Sequence, residues 1–298
     1  MRIFNFGSIN IDKVYQVDEF VRGGETTSAR GMESFPGGKG LNQSIAAARA
    51  GAQVIHAGAI GADGGYLAEL LSSSGVDATP LMTLAESTGH ALIQINKEGQ
   101  NCIIVYGGAN HRLTRAYIDE VFAMAQPDDL LLLQNEINEG PYIMECARAK
   151  GMQIAFNPSP VTPELMDFPL SLVDYFIVNE LEGAALTGKS GFQDILDEML
   201  RRYPHCKVVL TVGSEGSYYQ DSQGTLRQDI FRAPVVDTTA AGDTFCGYFL
   251  SGVTSGASVA DALKYASAAA SIAISRKGAA PSIPLMAETA ALVSQTAT

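Results

Sequence analysis

The run Asp129-Leu130-Leu131-Leu132-Leu133-Gln134-Asn135-Glu136 limits the possible folds more than any other stretch of this chain. In a strand, successive side chains point to opposite faces, so four consecutive leucines need apolar cover on both sides. Sheets covered on both faces are mostly parallel and lie between helices. Comparable apolar runs occur near 2–8, 54–60, 153–156, 174–178 and 207–212, separated by stretches with helical patterning. This alternation predicts an α/β fold with a central, mostly parallel sheet and helices on both faces. Polar groups enter the leucine run only at its far end. Ligands gather beyond the carboxyl ends of strands in such sheets, so Glu136 is a candidate site residue.

Two segments depart from this rhythm. Residues 13–36 alternate apolar and polar groups, and 90–96 and 101–106 flank Lys97-Glu98-Gly99-Gln100, a hairpin signal. Together, about 13–36 and 88–107 predict a small β lid projecting from one domain that spans 1–298. With 46% hydrophobic and 17% charged residues, the chain has the composition of a packed globular protein. A net charge of −12 argues against nucleic acid, which is bound through Lys and Arg, and lightly against a heavily anionic second substrate. Cys102, Cys146, Cys206 and Cys246 form no CxxC pair, and the four histidines have no metal-ligand spacing. The opening residues read as a strand rather than a signal peptide, and no apolar run is long enough for a membrane span. A cytoplasmic location, away from membranes, is the expectation.

The chemistry is concentrated in residues 233–245, Ala-Pro-Val-Val-Asp-Thr-Thr-Ala-Ala-Gly-Asp-Thr-Phe. The pattern predicts an extended run, a turn of small residues, and a helix entering at about Gly242. Helix starts carry unpaired N–H groups and a positive dipole end, which together favour anions. Ala240, Ala241 and Gly242 let a bulky anion approach the backbone. Asp243 adds a carboxylate able to take a proton from a hydroxyl while the N–H groups hold developing charge. Near the amino end, Asn10 and Asp12 follow the first strand two residues apart, so both point one way and can grip adjacent sugar hydroxyls. Phe35-Pro36-Gly37-Gly38-Lys39-Gly40-Leu41-Asn42-Gln43 is a glycine-rich turn entering an Ala-rich helix, with Lys39 and Asn42 at the turn.

Asp237-Thr238-Thr239-Ala240-Ala241-Gly242-Asp243-Thr244-Phe245 resembles a signature of the ribokinase-like (PfkB) carbohydrate kinases, and Gly37-Gly38-Lys39-Gly40-Leu41-Asn42 resembles their other one. Leu41 stands where the family usually has Ala, and Pro36 precedes the glycines; both are departures beside the sugar pocket. The resemblance covers essentially the whole chain and implies a three-layer α/β/α fold with a β lid. It implies Asp243 as the catalytic base, assisted by the 240–242 N–H groups. It assigns the sugar to Asn10, Asp12, Gly38, Lys39, Gly40, Asn42, Ala91, Ile93, Glu136 and Asp243. ATP falls to Asn179, Thr211, Gly213, Ser214, Gly216, Gly242 and Ser267. Asn179-Glu180-Leu181-Glu182 resembles the family's Asn-x-x-Glu motif, which associates Glu182 with Mg²⁺ through water. Asp237, Thr239, Ala273, Arg276, Gly278 and Ser282 match its K⁺ loop, mostly through carbonyls. A homodimer clasped through the lids is expected.

The implied activity is transfer of the ATP γ-phosphate to a primary hydroxyl of a pentose or related sugar, with ribose the first choice. A nucleoside, a ketohexose or a sugar acid stays open as acceptor, and so does a non-catalytic sugar-binding protein. Two rival motifs read poorly. Gly183-Ala184-Ala185-Leu186-Thr187-Gly188-Lys189-Ser190 satisfies the P-loop pattern, but its middle residues are helix formers and Gly188 reads as a helix end. A dinucleotide fold needs GxGxxG after the first strand, and Gly7-Ser8-Ile9 does not provide it.

Overall fold

In the computed structural model, which describes residues 1–296, the leucines form the strand Leu130–Gln134, buried throughout. It lies inside an eight-stranded sheet. In spatial order the strands are Gly224–Gln228, Ser217–Asp221, Lys207–Thr211, Tyr175–Asn179, Gln153–Asn157, Leu130–Gln134, Ile3–Phe6 and Val54–Ala57. Neighbours from Lys207–Thr211 through Val54–Ala57 are parallel, and a hairpin adds the two antiparallel edge strands. The predicted mostly parallel sheet is present.

The leucines divide as the pleat requires. Leu131 and Leu133 join an apolar cluster that includes residues of the helices Arg115–Ala123, Gly140–Ala149, Glu180–Thr187 and Phe192–Arg202. Leu130 and Leu132 join a second cluster, with the helices Lys39–Arg49, Gly65–Ser73, Ala241–Thr254 and Val259–Ile274. Each buried leucine side chain stabilises the fold by about 1.5–3 kcal/mol. Within the second layer Ala241–Thr254 crosses Lys39–Arg49 at Gly247, where a Cβ would lie 2.5 Å from that of Ala46. That closeness brings the starts of both helices to the same end of the sheet.

The lid is a four-stranded sheet in the order Gly31–Gly37, Asn10–Gln16, Gly89–Ile95, Asn101–Tyr106. Its two central strands run parallel and each outer pair is antiparallel. The first lid strand begins at Asn10, earlier than the predicted 13, because the chain passes directly from the main sheet into the lid. Residues 17–30 join no strand. On the site side, Lys277 reaches the lid at Glu33, Nζ to Oε2 3.5 Å.

Other expectations need adjusting. The predicted strand 54–60 divides into Val54–Ala57 in the main sheet and Ala59–Gly61, which pairs with Met82–Leu84. The break falls at Gly58, whose N–H goes to the Tyr117 hydroxyl at 2.9 Å instead of to a strand. Residues 233–239 form no strand; the Val236 and Asp237 N–H groups both donate to the Ile274 carbonyl, at 2.7 and 3.1 Å. Glu180–Thr187 is a helix closed by Gly188 at φ 74°, and Lys189 and Ser190 are exposed beyond it. The P-loop pattern therefore encodes a helix end and not a phosphate loop.

Candidate active site

Two helix starts converge beyond the carboxyl ends of the strands. Gly38, at φ 94°, turns the chain into Lys39–Arg49. Gly40 lies so close to Gly7 that a Cβ would meet the Gly7 backbone at 2.4 Å. The Leu41 N–H donates to the Ser8 carbonyl at 2.9 Å, which ties the helix start to the end of the first strand. Lys39, Asn42 and Gln43 are thereby presented to Asp243 in the first turn of Ala241–Thr254. No side chain caps that second helix. The Ala241 N–H is given to the Thr238 carbonyl at 3.2 Å, so the expectation of three free donors at 240–242 needs correcting. The Ala240, Gly242 and Asp243 N–H groups have no backbone acceptor and stay open to an anion.

Asp243 is 7% exposed. Its Oδ2 accepts from Asn42 Nδ2 at 3.0 Å and its Oδ1 from Gln43 Nε2 at 2.9 Å. Burial raises its pKa, and the Lys39 charge and the two amide donors only partly offset that. Asp12 is pushed up to about 6 by burial and by the neighbouring Glu136 and Asp243 carboxylates. Glu136 is raised as well, chiefly by burial. Burial by itself would lower Lys39, but Asp243, Glu136 and Glu182 outweigh it and hold the ammonium charged. The site is thus a half-buried cation among carboxylates, with Asp243 held between two amide donors.

The lid register puts the expected sugar residues on one face. Asn10 lies opposite Gly37 and Gly89, Asp12 opposite Phe35 and Ala91, and Val14 opposite Ile93. Asn10 and Asp12 therefore share their side with Ala91 and Ile93. Asn110, which sequence reasoning missed, donates to Asn10 Oδ1 at 2.8 Å and also accepts from the Ile9 N–H at 3.0 Å. Glu136 Oε2 accepts from the Ser8 hydroxyl and, at 3.2 Å, from the Lys39 N–H. The Gly40 N–H is committed to Ser8 Oγ at 3.2 Å. Asn42 Oδ1 is buried with no partner, a free acceptor beside Asp243. That orphan atom suits a sugar hydroxyl.

Lys39, Asn179, Glu182, Thr211, Thr239, Gly242 and Asp243 line one cleft of about 180 Å³, along with Asn157, a residue the sequence did not single out. Asn179 caps its helix by accepting the Glu182 N–H at 2.8 Å, and Glu182 Oε2 accepts the Asn179 N–H at 3.0 Å. Beyond Thr211, the turn Gly213–Glu215 carries exposed Ser214, and Gly213 and Gly216 adopt φ of 52° and 95°. Ser267 is less open to a nucleotide than expected, because its hydroxyl is spent on the Asp229 carbonyl at 3.0 Å.

Among the described residues no cluster of three or more His, Cys, Asp or Glu is arranged for a metal. Glu182 shares the cleft with Asp243, and a lone carboxylate on the nucleotide side fits a Mg²⁺ ion that keeps most of its shell as water and phosphate. Asp237 holds the other loop together: its carboxylate accepts from the Thr239 N–H at 2.9 Å and the Gly278 N–H at 3.0 Å. Burial would raise Asp237, but the Thr239 and Gly278 hydrogen bonds and Lys277 overcome it and lower its pKa. Arg276 pairs with Glu288, its N–H donates to the Ala273 carbonyl at 3.1 Å, and Ser282 Oγ binds the Ala279 carbonyl at 2.7 Å. The ionised Asp237 carboxylate supplies this loop with one hard oxygen donor, the kind of group a monovalent cation takes.

The model of the pfkB family of carbohydrate kinases matches residues 2–286. Over 292 residues the chain is 34% identical to a ribokinase of Haemophilus influenzae, covering 95% of each protein. It superposes on a ribokinase of Cryptococcus neoformans var. grubii in complex with ADP at a TM-score of 0.85, with 33% identity, covering 97% of this chain and 99% of that one. For a ribokinase of Arabidopsis thaliana complexed with ribose and ATP the TM-score is 0.86 and the identity 30%, with 98% of both chains covered. The fold, the paired helix starts around Asp243 and these matches agree: the chain belongs to the pfkB family of carbohydrate kinases, ATP-dependent phosphotransferases acting on an alcohol group.

Proposed function

We propose that this chain phosphorylates the primary hydroxyl of ribose, with Asp243 as base. The observation that carries the reading is a carboxylate buried at an uncapped helix start, facing the polar side of a lid. Asn10, Asp12, Asn42 and Glu136 grip the sugar hydroxyls, while Gly38 and Lys39 close the turn against it. Ala91 and Ile93 give the apolar wall. Asp243 takes the proton of the acceptor hydroxyl as that oxygen attacks the γ-phosphorus and the bond to the ADP oxygen breaks. The Gly242 and Asp243 N–H groups hold the charge on the transferring phosphoryl group, and positioning does much of the rest. Asn179, Thr211, Gly213, Ser214 and Gly216 form the nucleotide side, with Ser267 contributing packing. Mg²⁺, held through water by Glu182, would neutralise phosphate charge. K⁺ at Asp237, Thr239, Ala273, Arg276, Gly278 and Ser282 would stiffen the 240–242 turn. Lid closure excludes water as a competing acceptor.

Ribose is favoured by the ribokinase relatives and by the ribose complex of the Arabidopsis protein. The test measures ADP release with ATP and a panel of ribose, a ketohexose, a nucleoside and a sugar acid. Ribose should give the highest kcat/KM. A higher value for another acceptor would reassign the substrate, and binding of ribose without ADP release would make this a sugar-binding protein.

A homodimer joined through the lids is part of the proposal. Its support is the edge strand Asn101–Tyr106, exposed at every position, with Ile104 and Val105 at 60% and 65%. In the lid's first segment Val21 is exposed as well, at 41%, whereas Val17 is buried. An uncovered edge strand of this kind invites pairing. A cytoplasmic location fits the use of ATP and four cysteines that are all free. Among the described residues no helix is long and apolar enough to cross a membrane.

A further inference from the structure

A chain of buried side-chain amides leads from Asp243 into the core. Gln43 Nε2 donates to Asp243 Oδ1 at 2.9 Å and to Asn157 Oδ1 at 3.1 Å. Gln43 Oε1 accepts from Gln134 Nε2 at 2.7 Å, and Gln134 Nε2 also donates to Asn5 Oδ1 at 3.0 Å. Asn5 Nδ2 donates to the Gly40 carbonyl and to Ser44 Oγ, both at 2.8 Å, and Ser44 Oγ lies 2.8 Å from His56 Nδ1. Asn5, Gln43, Ser44, His56 and Gln134 are each at most 2% exposed.

The orientation of every amide is dictated from the ends. The Gly40 carbonyl can only accept, so Asn5 turns its NH₂ there and its Oδ1 toward Gln134. An ionised Asp243 can only accept, so Gln43 turns its NH₂ to the carboxylate and its Oε1 toward Gln134. Gln134 must answer both oxygens with its two N–H donors. His56, held down to about 4 by burial, is neutral and takes the Ser44 proton at Nδ1. Flipping Asn5, Gln43 or Gln134 would set oxygen against oxygen or N–H against a donor, which is costly, although Gln134 Oε1 and His56 Nε2 have no partner as the network stands.

We propose that Gln43 is the positioning residue of the phosphoryl-transfer base and that Gln134 locks Gln43 in the donating orientation. The inference rests on the reading of Asp243 as base. One amide on each oxygen, from Asn42 and Gln43, fixes the plane of the carboxylate, so a lone pair faces the acceptor hydroxyl instead of sweeping past it. Gln43 also restrains the basicity of Asp243. The other groups facing Asp243 are Lys39, which favours its charge, and Asp12, Glu136 and Cys246, which oppose it; Glu182 acts on Lys39 and Cys246. None of these changes in the variants below.

Gln43→Met keeps length and bulk but removes the donor. Its kcat is expected to fall on the order of 10–100-fold through misalignment, with the sugar KM within about threefold of the parent because the sugar contacts remain. The acid limb of its kcat/KM profile should move up by about one pH unit, the loss of a hydrogen bond to a charged group. Gln134→Met, which leaves every contact of Asp243 in place, should move kcat and the limb in the same directions by less, and it decides the matter where Gln43→Met does not fold. Asp243→Asn is the control. If Asp243→Asn keeps its turnover, the base assignment itself fails. If Asp243→Asn is inactive while the folded Gln43→Met or Gln134→Met keeps the parental kcat and acid limb, the positioning role alone is overturned. A raised sugar KM with unchanged kcat would equally overturn it.

Discussion

Replacing Asp12 by Asn should stabilise the sugar-free protein while destroying its grip on the sugar. Asp12 is half-buried near Glu136 and Asp243, and the lost hydration and both charges push it up to about 6 from an ordinary 3.8. The folded state therefore holds a proton that the unfolded chain has already released between about pH 4 and pH 6. Stability from this group is fully present below pH 4 and is lost as the pH rises through 6. The loss corresponds to a shift of about two units, or about 3 kcal/mol. An asparagine side chain at this position carries no charge and escapes the loss. At pH 8 Asp12→Asn should thus be more stable than the parent by up to about 3 kcal/mol, which for a chain of this length is a rise in Tm of about 5 °C. Below pH 4 the gap should close. Sugar affinity should fall by about 10–100-fold with the lost charge-assisted hydrogen bonds. Sugar-free denaturant titrations at pH 8 and below pH 4 measure the stability, and calorimetry with ribose measures the binding. A variant less stable than the parent at pH 8, or a gap of the same size at both pH values, would refute the reasoning.

Potassium should raise turnover by ordering the 237–242 turn; equal rates in potassium and in a bulky organic cation at matched ionic strength would count against the cation loop. Lys189→Ala should leave kcat/KM within about twofold, since Lys189 is exposed beyond a helix end and an exposed substitution away from a site does little; a large loss would revive the P-loop reading. Light scattering at micromolar protein should give twice the 31.5 kDa chain mass for lids that clasp, and a value near 31.5 kDa would leave the exposed Asn101–Tyr106 strand without a partner.

The sequence exposed the layers readily because they obey a period of two. Four leucines in a row can be buried only by covering both faces, and they divide between two apolar clusters. Asp243, Lys39 and Asn42 were legible because small residues surround them at helix starts, where backbone donors matter. Net charge misled. The overall −12 weighs lightly against an anionic substrate such as ATP, whereas the phosphate would be met by local backbone N–H groups that carry no formal charge. Gln43, Gln134, Asn110 and Asn157 were hidden for a different reason. Each is an ordinary polar residue in sequence, and only the register of strands and the crossing at Gly247 bring it to the site. The break at Gly58 was equally invisible, because its cause is the hydroxyl of Tyr117, 59 positions away in the chain.

The central claim is that Asp243 removes the proton of a ribose hydroxyl during phosphoryl transfer from ATP. A single-turnover measurement on Asp243→Asn, with ribose binding followed by calorimetry on the same preparation, tests it most directly. The account predicts ribose affinity within about tenfold of the parent and a transfer rate lower by roughly 10²–10⁴, the span of a lost general base. Transfer within a few-fold of the parent rate would contradict it.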